Sequence, residues 1–514
     1  MKRRALRPTG RDLRHMAASF SAPILGWNTR DNFVSMDPRF ARVLDNMIVD
    51  GGRLAVRKGF MSVAKSNFSL FSLAAYDYGA EKKLFASGNG SIYEVDFAEN
   101  KLTALGSDFL ADKWNSIFYK GNLYFLNGQD PVQVYSAGEL KAAEFTKAET
   151  EPAELDLKKL KSGTLYKNRL FFLERESLAF WHTENAGNVQ GPLRRFDLAQ
   201  IAKYGGSLQA VISWTYSVSS GAQESQIIFI SSEGEVFVYA GTDPNEISTW
   251  ALRGTYKIPR PVGEKCVCSL GGDVVYLGED GYYKLSQLLS APESEKATAF
   301  SDAINPTLQD LKGSLKNYGW KVQPYQADGL LFINVPQTGA NVVQHVMSLQ
   351  TGAWSRFTGM NAFDWAELGG NLYFCGPGGV YQAQTGQNDD GGAILWEFMG
   401  AYGNLGTAYA KVLKEVQLYY QGMNEIIFNL NVSVDFKRPY VAYRSNMPAT
   451  QSKWDLAEWD KTPWAAEAAA VRKRIIPRVS QGGYFSFGCN GNLIDCDIKI
   501  LGFDVLFERS KNLA

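Results

Sequence analysis

A short theme repeated through the middle of the chain constrains its fold more than any other feature. A Gly or Asn turn leads into a strand of alternating aromatic and aliphatic residues. A second Gly-rich turn then leads into a strand carrying Val-Tyr or a similar pair. The theme reads at residues 80–95 (AEKKLFASGNGSIYEV), 120–135, 167–181, 227–239, 271–285, from 328 onward (DGLLFINVP, then VVQHVMSL) and 370–382. These hairpin units fall between residues 70 and 390, at spacings that cluster near the roughly 40–50 residues of a four-stranded blade. So small a sheet cannot bury both faces alone, whereas radial stacking lets each sheet cover its neighbour and removes open edges. The expectation is a mainly β fold, a β-propeller of six or seven blades. A pair of β-sandwiches is the competing architecture, and the recurrence of one theme favours the ring.

Flanking segments read differently. Residues 1–20 form a basic arm, with Lys2, Arg3, Arg4, Arg7, Arg11 and Arg14 against Asp12. It reads as a solvated flexible arm, or as one ordered by an acidic neighbour or DNA phosphate. Residues 21–68 and 396–514 are expected to build a β-rich platform domain on either side of a propeller at 69–395. In the first of these, Asp37 with Pro38 predicts a short capped helix burying Phe40, Val43, Leu44 and Met47. Asp50-Gly51 then turns 47–49 back against 54–57. In the second, strands are expected at 411–420, 426–436, 483–487 and 498–507. Between them lie Trp454, Trp459 and Trp464, and Thr462-Pro463 predicts a capped helix over the following WAAEAAAVRKR. Residues 147–161 read as an exposed linker or short surface helix, and Asn305-Pro306 as the capped start of another.

Composition excludes several classes. Lys plus Arg and Asp plus Glu both total 53 in 514 residues, which argues against a broadly basic nucleic-acid binder and an acidic disordered chain. No run of about 18 apolar residues is present to span a membrane as a helix, and the basic start lacks the apolar core of a secretory signal. Five cysteines (Cys266, Cys268, Cys375, Cys489, Cys496) without CxxC spacing read as buried thiols rather than a zinc ribbon or disulfide framework. Cys266 and Cys268 share a face if 265–270 is a strand, a geometry that holds a metal or fills a core.

Catalytic signals are sparse. His15, His182 and His345 are the only histidines, and HExxH, GxSxG and Walker-type motifs are missing. Glu279-Asp280, and Asp302 with Asp310, read as turn and cap residues rather than glycosidase pairs. The Asp-Pro steps at 37, 130 and 243 read as turn setters. The stripes Leu123/Phe125, Leu170/Phe172, Val274/Tyr276 and Leu372/Phe374 read as core between blades rather than a base-stacking platform, and Arg472, Lys473 and Arg474 as a solvated face. No catalytic, cofactor or metal residues are assigned.

Several stretches, taken in order, resemble one family. They are Gly26-Trp27-Asn28-Thr29-Arg30-Asp31, Leu44-Asp45-Asn46, Arg57-Lys58-Gly59-Phe60 and Tyr166-Lys167-Asn168-Arg169-Leu170-Phe171-Phe172. Further on come residues 232–239 with Gly241-Thr242-Asp243-Pro244, and Gly352-Ala353-Trp354-Ser355-Arg356-Phe357. The chain resembles the tail nozzle, or tail hub (tail tubular protein B-like), proteins of short-tailed bacteriophages and prophages. The resemblance implies a virion structural protein, a homohexameric ring at the distal end of the tail, assembled in the host cytoplasm. Such a ring continues the DNA channel from an upstream tail tube or adaptor ring, holds it shut after packaging and opens it for ejection. Tail fibres or tip proteins are further expected partners, and double-stranded DNA passes without sequence-specific binding. Candidate subunit-interface or platform residues are Trp27, Asn28, Arg30, Asp31, Asp45, Asn46, Arg57, Trp454, Trp459 and Trp464. Gly-rich blade tips such as 376–379 are candidate gate elements. The alternative is a β-propeller carbohydrate-binding protein or polysaccharide-degrading enzyme, with a polar pocket on the propeller axis.

Overall fold

In the computed structural model the described residues are 15–217, 223–246, 248–290, 298–310, 313, 315, 317–339, 341–422, 427–444, 470–475 and 481–513. The chain divides into two units, one of residues 58–350 and 356–391, the other of 1–57, 351–355 and 392–514.

The larger unit is a seven-bladed β-propeller. Its innermost strands are Ser72–Tyr78, Asn115–Tyr119, Leu160–Tyr166, Leu208–Ser217, Val267–Leu270, Lys321–Tyr325 and Asp364–Leu368. Each packs against the next, and the last packs against the first, so the circle closes. Each of the seven sequence hairpins falls in a different blade. Among the described residues, blades one to four carry at least four antiparallel strands each, and blade five carries three. In blade three, for example, Leu170 and Phe172 face the core shared with blade two, while Phe171 and Leu173 face the core shared with blade four. Alternation thus buries both faces, and the strand reads as one apolar run. The stripes Leu123/Phe125, Val274/Tyr276 and Leu372/Phe374 are buried in the same way.

Turn chemistry sets the register. Lys167 and Asn168 both adopt positive φ, 47° and 60°, the primed two-residue turn whose twist suits a hairpin. The ring is shut by Phe60–Ser69, which pairs antiparallel with Asn371–Ala383 of blade seven. Chain from before blade one therefore completes the last blade, and opening the ring requires breaking that ladder. This moves the boundary of the propeller from 69 to 58. It also corrects the reading of 376–379 as a blade tip, because these residues lie inside the strand. A Cβ on Gly376 would stand 2.1 Å from the Asn361 carbonyl oxygen, and one on Gly379 2.1 Å from that of Ala64. Close backbone approach, rather than a turn, requires glycine there.

The smaller unit is a sandwich. One sheet contains His15–Ser21, Met47–Asp50, Arg53–Val56, Tyr409–Gly422, Ala470–Ile475 and Ile498–Leu513. The second contains Gly26–Trp27, Phe40–Asp45, Ile394–Gly400, Phe428–Val434, Tyr440–Arg444 and Phe485–Leu493. Their facing sides meet through Tyr420–Phe428 and Phe487–Phe503, with ring centroids 5.2 and 5.9 Å apart.

Four local expectations are corrected. Residues 15–20 are not part of a free arm, because His15–Ser21 pairs with Ile498–Leu513. Phe40–Asp45 is a strand rather than a helix. Asp37 caps only a turn, accepting from the Arg39 N–H at 2.9 Å, and pairing with Ile394–Gly400 outweighs the helical pattern. Ala470–Ile475 is likewise a strand, held by Tyr409–Gly422; the rest of that predicted helix lies outside the described residues. Asn305 is not a cap but already helical (φ −56°, ψ −37°), following a turn at Asp302–Ile304.

Candidate functional site

Charged and polar side chains gather on the propeller axis where the innermost strands begin. Asp364, first residue of the innermost strand of blade seven, is fully buried. Its carboxylate accepts from Lys265 Nζ at 2.5 Å and Lys321 Nζ at 2.6 Å. It also accepts from the backbone N–H groups of Leu73 and Trp365, at 3.0 and 2.9 Å. Lys265 reaches the Trp114 carbonyl at 3.2 Å. A second cluster lies beside this knot. Lys161 Nζ pairs with Glu264 at 3.2 Å and donates to Gln209 Oε1 at 3.4 Å, while Asn115 Nδ2 donates to Glu264 Oε2 at 3.0 Å. Together these bonds engage every blade.

Electrostatics follow from burial and sharing. Burial works against the Asp364 charge, but the Lys265 and Lys321 ammoniums outweigh it and hold the carboxyl below the ordinary range. Burial also penalises Lys265, where attraction to Asp364 prevails and raises its pKa. Lys321 goes the other way: burial lowers it, and Lys265 repels it across the shared carboxylate. One carboxylate cannot fully compensate two ammoniums, so the second is the easier to discharge.

The knot lies beneath a cavity of about 800 Å³ at one mouth of the ring. Blade two contributes Asp112, Lys113, Trp114 and Gln129, blade four Gln209, and the approach to blade five Gly263 and Glu264. Tyr318 and Trp320 come from the approach to blade six. The rings of Phe71 and Phe363 stack at 5.4 Å on the same wall. Tyr318 donates to the Phe71 carbonyl at 2.8 Å, and Lys113 Nζ sits 4.5 Å from the centre of the Tyr318 ring.

No protein-family model matches the chain, and neither does any curated protein sequence. Among solved structures, a computationally designed protein, Ika8, aligns at 10% identity with TM-score 0.37, covering 63% of this chain and 99% of its own. YCF48 from Cyanidioschyzon merolae aligns at 12% identity with TM-score 0.37, covering 64% and 98%. A chain of the mitotic checkpoint complex aligns at 8% identity with TM-score 0.36, covering 74% and 97%. Scores this low bear on neither fold nor function; the ring rests on its own strand contacts.

The residues singled out from sequence lie elsewhere. Trp27, Asn28, Asn46 and Arg57 are buried in the sandwich unit. Asn28 closes a turn by accepting from the Arg30 and Asp31 N–H groups at 2.9 and 3.0 Å and donating to the Asp31 carboxylate at 2.9 Å. Asn46 accepts from Arg57 Nε at 2.9 Å and donates to the Leu395 carbonyl at 2.6 Å. Arg30 is exposed and pairs with Asp31, and Asp45 opposes Glu397 in the sheet. Trp454, Trp459 and Trp464 lie outside the described residues.

Among the histidines, His182 lies tilted beside Phe171, ring centroids 5.8 Å apart, and His345 bonds Tyr282 at 3.1 Å; burial lowers them to about 4 and about 3. Burial pushes Cys266 up to about 12 and Cys268 up to about 11. No group of three or more His, Cys, Asp or Glu suited to a metal occurs among the described residues. Asp243 sets its turn as expected, accepting from the Asn245 N–H at 2.9 Å, and also pairs with the buried Arg169 at 2.6 Å.

The axial residues were missed by sequence reasoning. A signal existed: Lys321 and Asp364 are charges that open innermost strands, a position where an ion needs a partner from another blade.

Proposed function

We propose that this chain is a structural protein of a bacteriophage tail, a nozzle subunit that assembles with copies of itself around the DNA channel. The observation that carries the reading is where the N-terminal stretches of the resemblance lie. Trp27, Asn28, Asn46 and Arg57 form buried contacts of a unit made from both chain ends, into which a complete propeller is inserted. The resemblance implies that arrangement of platform and propeller.

Three physical points support it. The propeller bore is crossed by the Lys265–Asp364–Lys321 knot, so a duplex would have to pass between copies rather than through one, and a conduit requires several chains. Equal numbers of acidic and basic residues suit a wall past which DNA slides, since each firmly paired phosphate adds affinity through counterion release and acts as a brake. Repetition around a closed ring multiplies a weak closing contact. The test is immunogold labelling of phage particles induced from cells that carry the gene. Gold at the distal tail is the expected result, and unlabelled particles overturn the proposal.

A further inference from the structure

We propose that the cavity at the mouth of the propeller binds a saccharide. It does so independently of the role in tail assembly. Its volume of about 800 Å³ falls within the range of pockets that enclose small ligands. It sits on the ring axis, so groups from different blades converge on one occupant.

The lining fits sugar chemistry. A saccharide presents hydroxyls, each both donor and acceptor, around a ring with weakly polar C–H faces. Amides and carboxylates match the hydroxyls, because an amide offers both roles and a carboxylate accepts from two. Gln129 is exposed at the rim, and Gln209 spends its oxygen on Lys161 while its amide hydrogens remain available. Asp112 and Glu264 add acceptors, and Tyr318 supplies aromatic surface for an apolar face. The charges on the wall offset each other, Lys113 and Lys265 against Asp112 and Glu264. That balance argues against a nucleotide or polyphosphate, which needs an excess of cations. Lys113, held over the Tyr318 ring, is the group that would meet the carboxylate of a uronic acid.

Gly263 gives a clean way to fill the site. Its φ lies outside the left-handed region, and an added Cβ would meet only Trp320 Cβ, at 3.8 Å. Gly263→Phe therefore projects a ring into the cavity without backbone strain. Gln129→Ala removes a rim amide without touching the core.

The experiment is isothermal titration of the full chain with a panel of neutral hexasaccharides built on glucose, galactose or mannose, and of uronic-acid hexasaccharides. At least one is expected to bind with millimolar or tighter affinity. That binding should fall at least tenfold in Gly263→Phe and severalfold in Gln129→Ala, with unchanged thermal melting in both. A uronate preference should be lost in Lys113→Ala, whereas a neutral ligand should be unaffected by it. No binding across the panel at 10 mM, or binding that Gly263→Phe leaves intact, overturns the proposal. Either result leaves the tail assignment standing, since that is read from particle labelling.

Discussion

Replacing Asp364 by Asn tests the energetic centre of the propeller. The carboxylate is fully buried and accepts four hydrogen bonds, two of them from ammoniums. Asn keeps the shape but removes the charge and turns an amide NH2 toward a cation. Two lysines are then left facing each other without the carboxylate between them. Breaking a buried ion pair in this way costs about 3–5 kcal/mol. For a unit of this size each kcal/mol lowers Tm by about 1.5 °C, so a drop of roughly 4–7 °C is expected. Thermal melts followed by tryptophan fluorescence would read it. The pH dependence carries the sign: because the folded pKa of Asp364 is depressed, its stabilisation is full above the ordinary Asp pKa and lost as pH falls through the folded value. Asp364→Asn should therefore flatten the acid limb of the stability profile. The triple variant Asp364→Leu with Lys265→Met and Lys321→Met, which removes every charge of the knot, should recover much of the loss. The reasoning is refuted if Asp364→Asn melts within 2 °C of wild type, or if the triple variant is less stable than the single one.

Three further outcomes are expected. Arg169→Met should destabilise by about 3 kcal/mol, since the buried guanidinium binds the Asp243 carboxylate and the carbonyls of Thr183 and Glu184; denaturant melts would measure it. Gly376→Ala should weaken the closure of blade seven and raise hydrogen exchange along Phe60–Ser69, because its methyl group meets the Asn361 carbonyl, whereas Gly263→Ala should leave exchange unchanged. The imidazoles of His182 and His345 should show no NMR titration above pH 5. Their folded pKa values, about 4 and about 3, lie below the unfolded value, so the unfolded chain binds protons first and stability falls as pH drops from about 6.5. Each should cost about 3 kcal/mol by pH 4.

Much of the architecture was legible because it is written in local pattern. The seven hairpins carry their own turn signals, such as Lys167-Asn168 and Gly271-Gly272, and their alternation leaves no face for solvent. What misled was helical patterning in segments that a neighbouring sheet recruits. Phe40–Asp45 and Ala470–Ile475 become strands because distant partners, Ile394–Gly400 and Tyr409–Gly422, satisfy their backbones. Likewise, Gly376 and Gly379 look like turn glycines but are demanded by contact with 361 and 64. The axial site was the least legible part. Asp364, Lys265 and Lys321 are far apart in sequence, and only closure of the ring makes one carboxylate answer two lysines.

The most direct test of the tail assignment is native mass spectrometry of the full-length chain. A dominant species at six times the 57.0 kDa chain mass is the predicted result. A monomer at every concentration, with or without the upstream tail proteins, would contradict it.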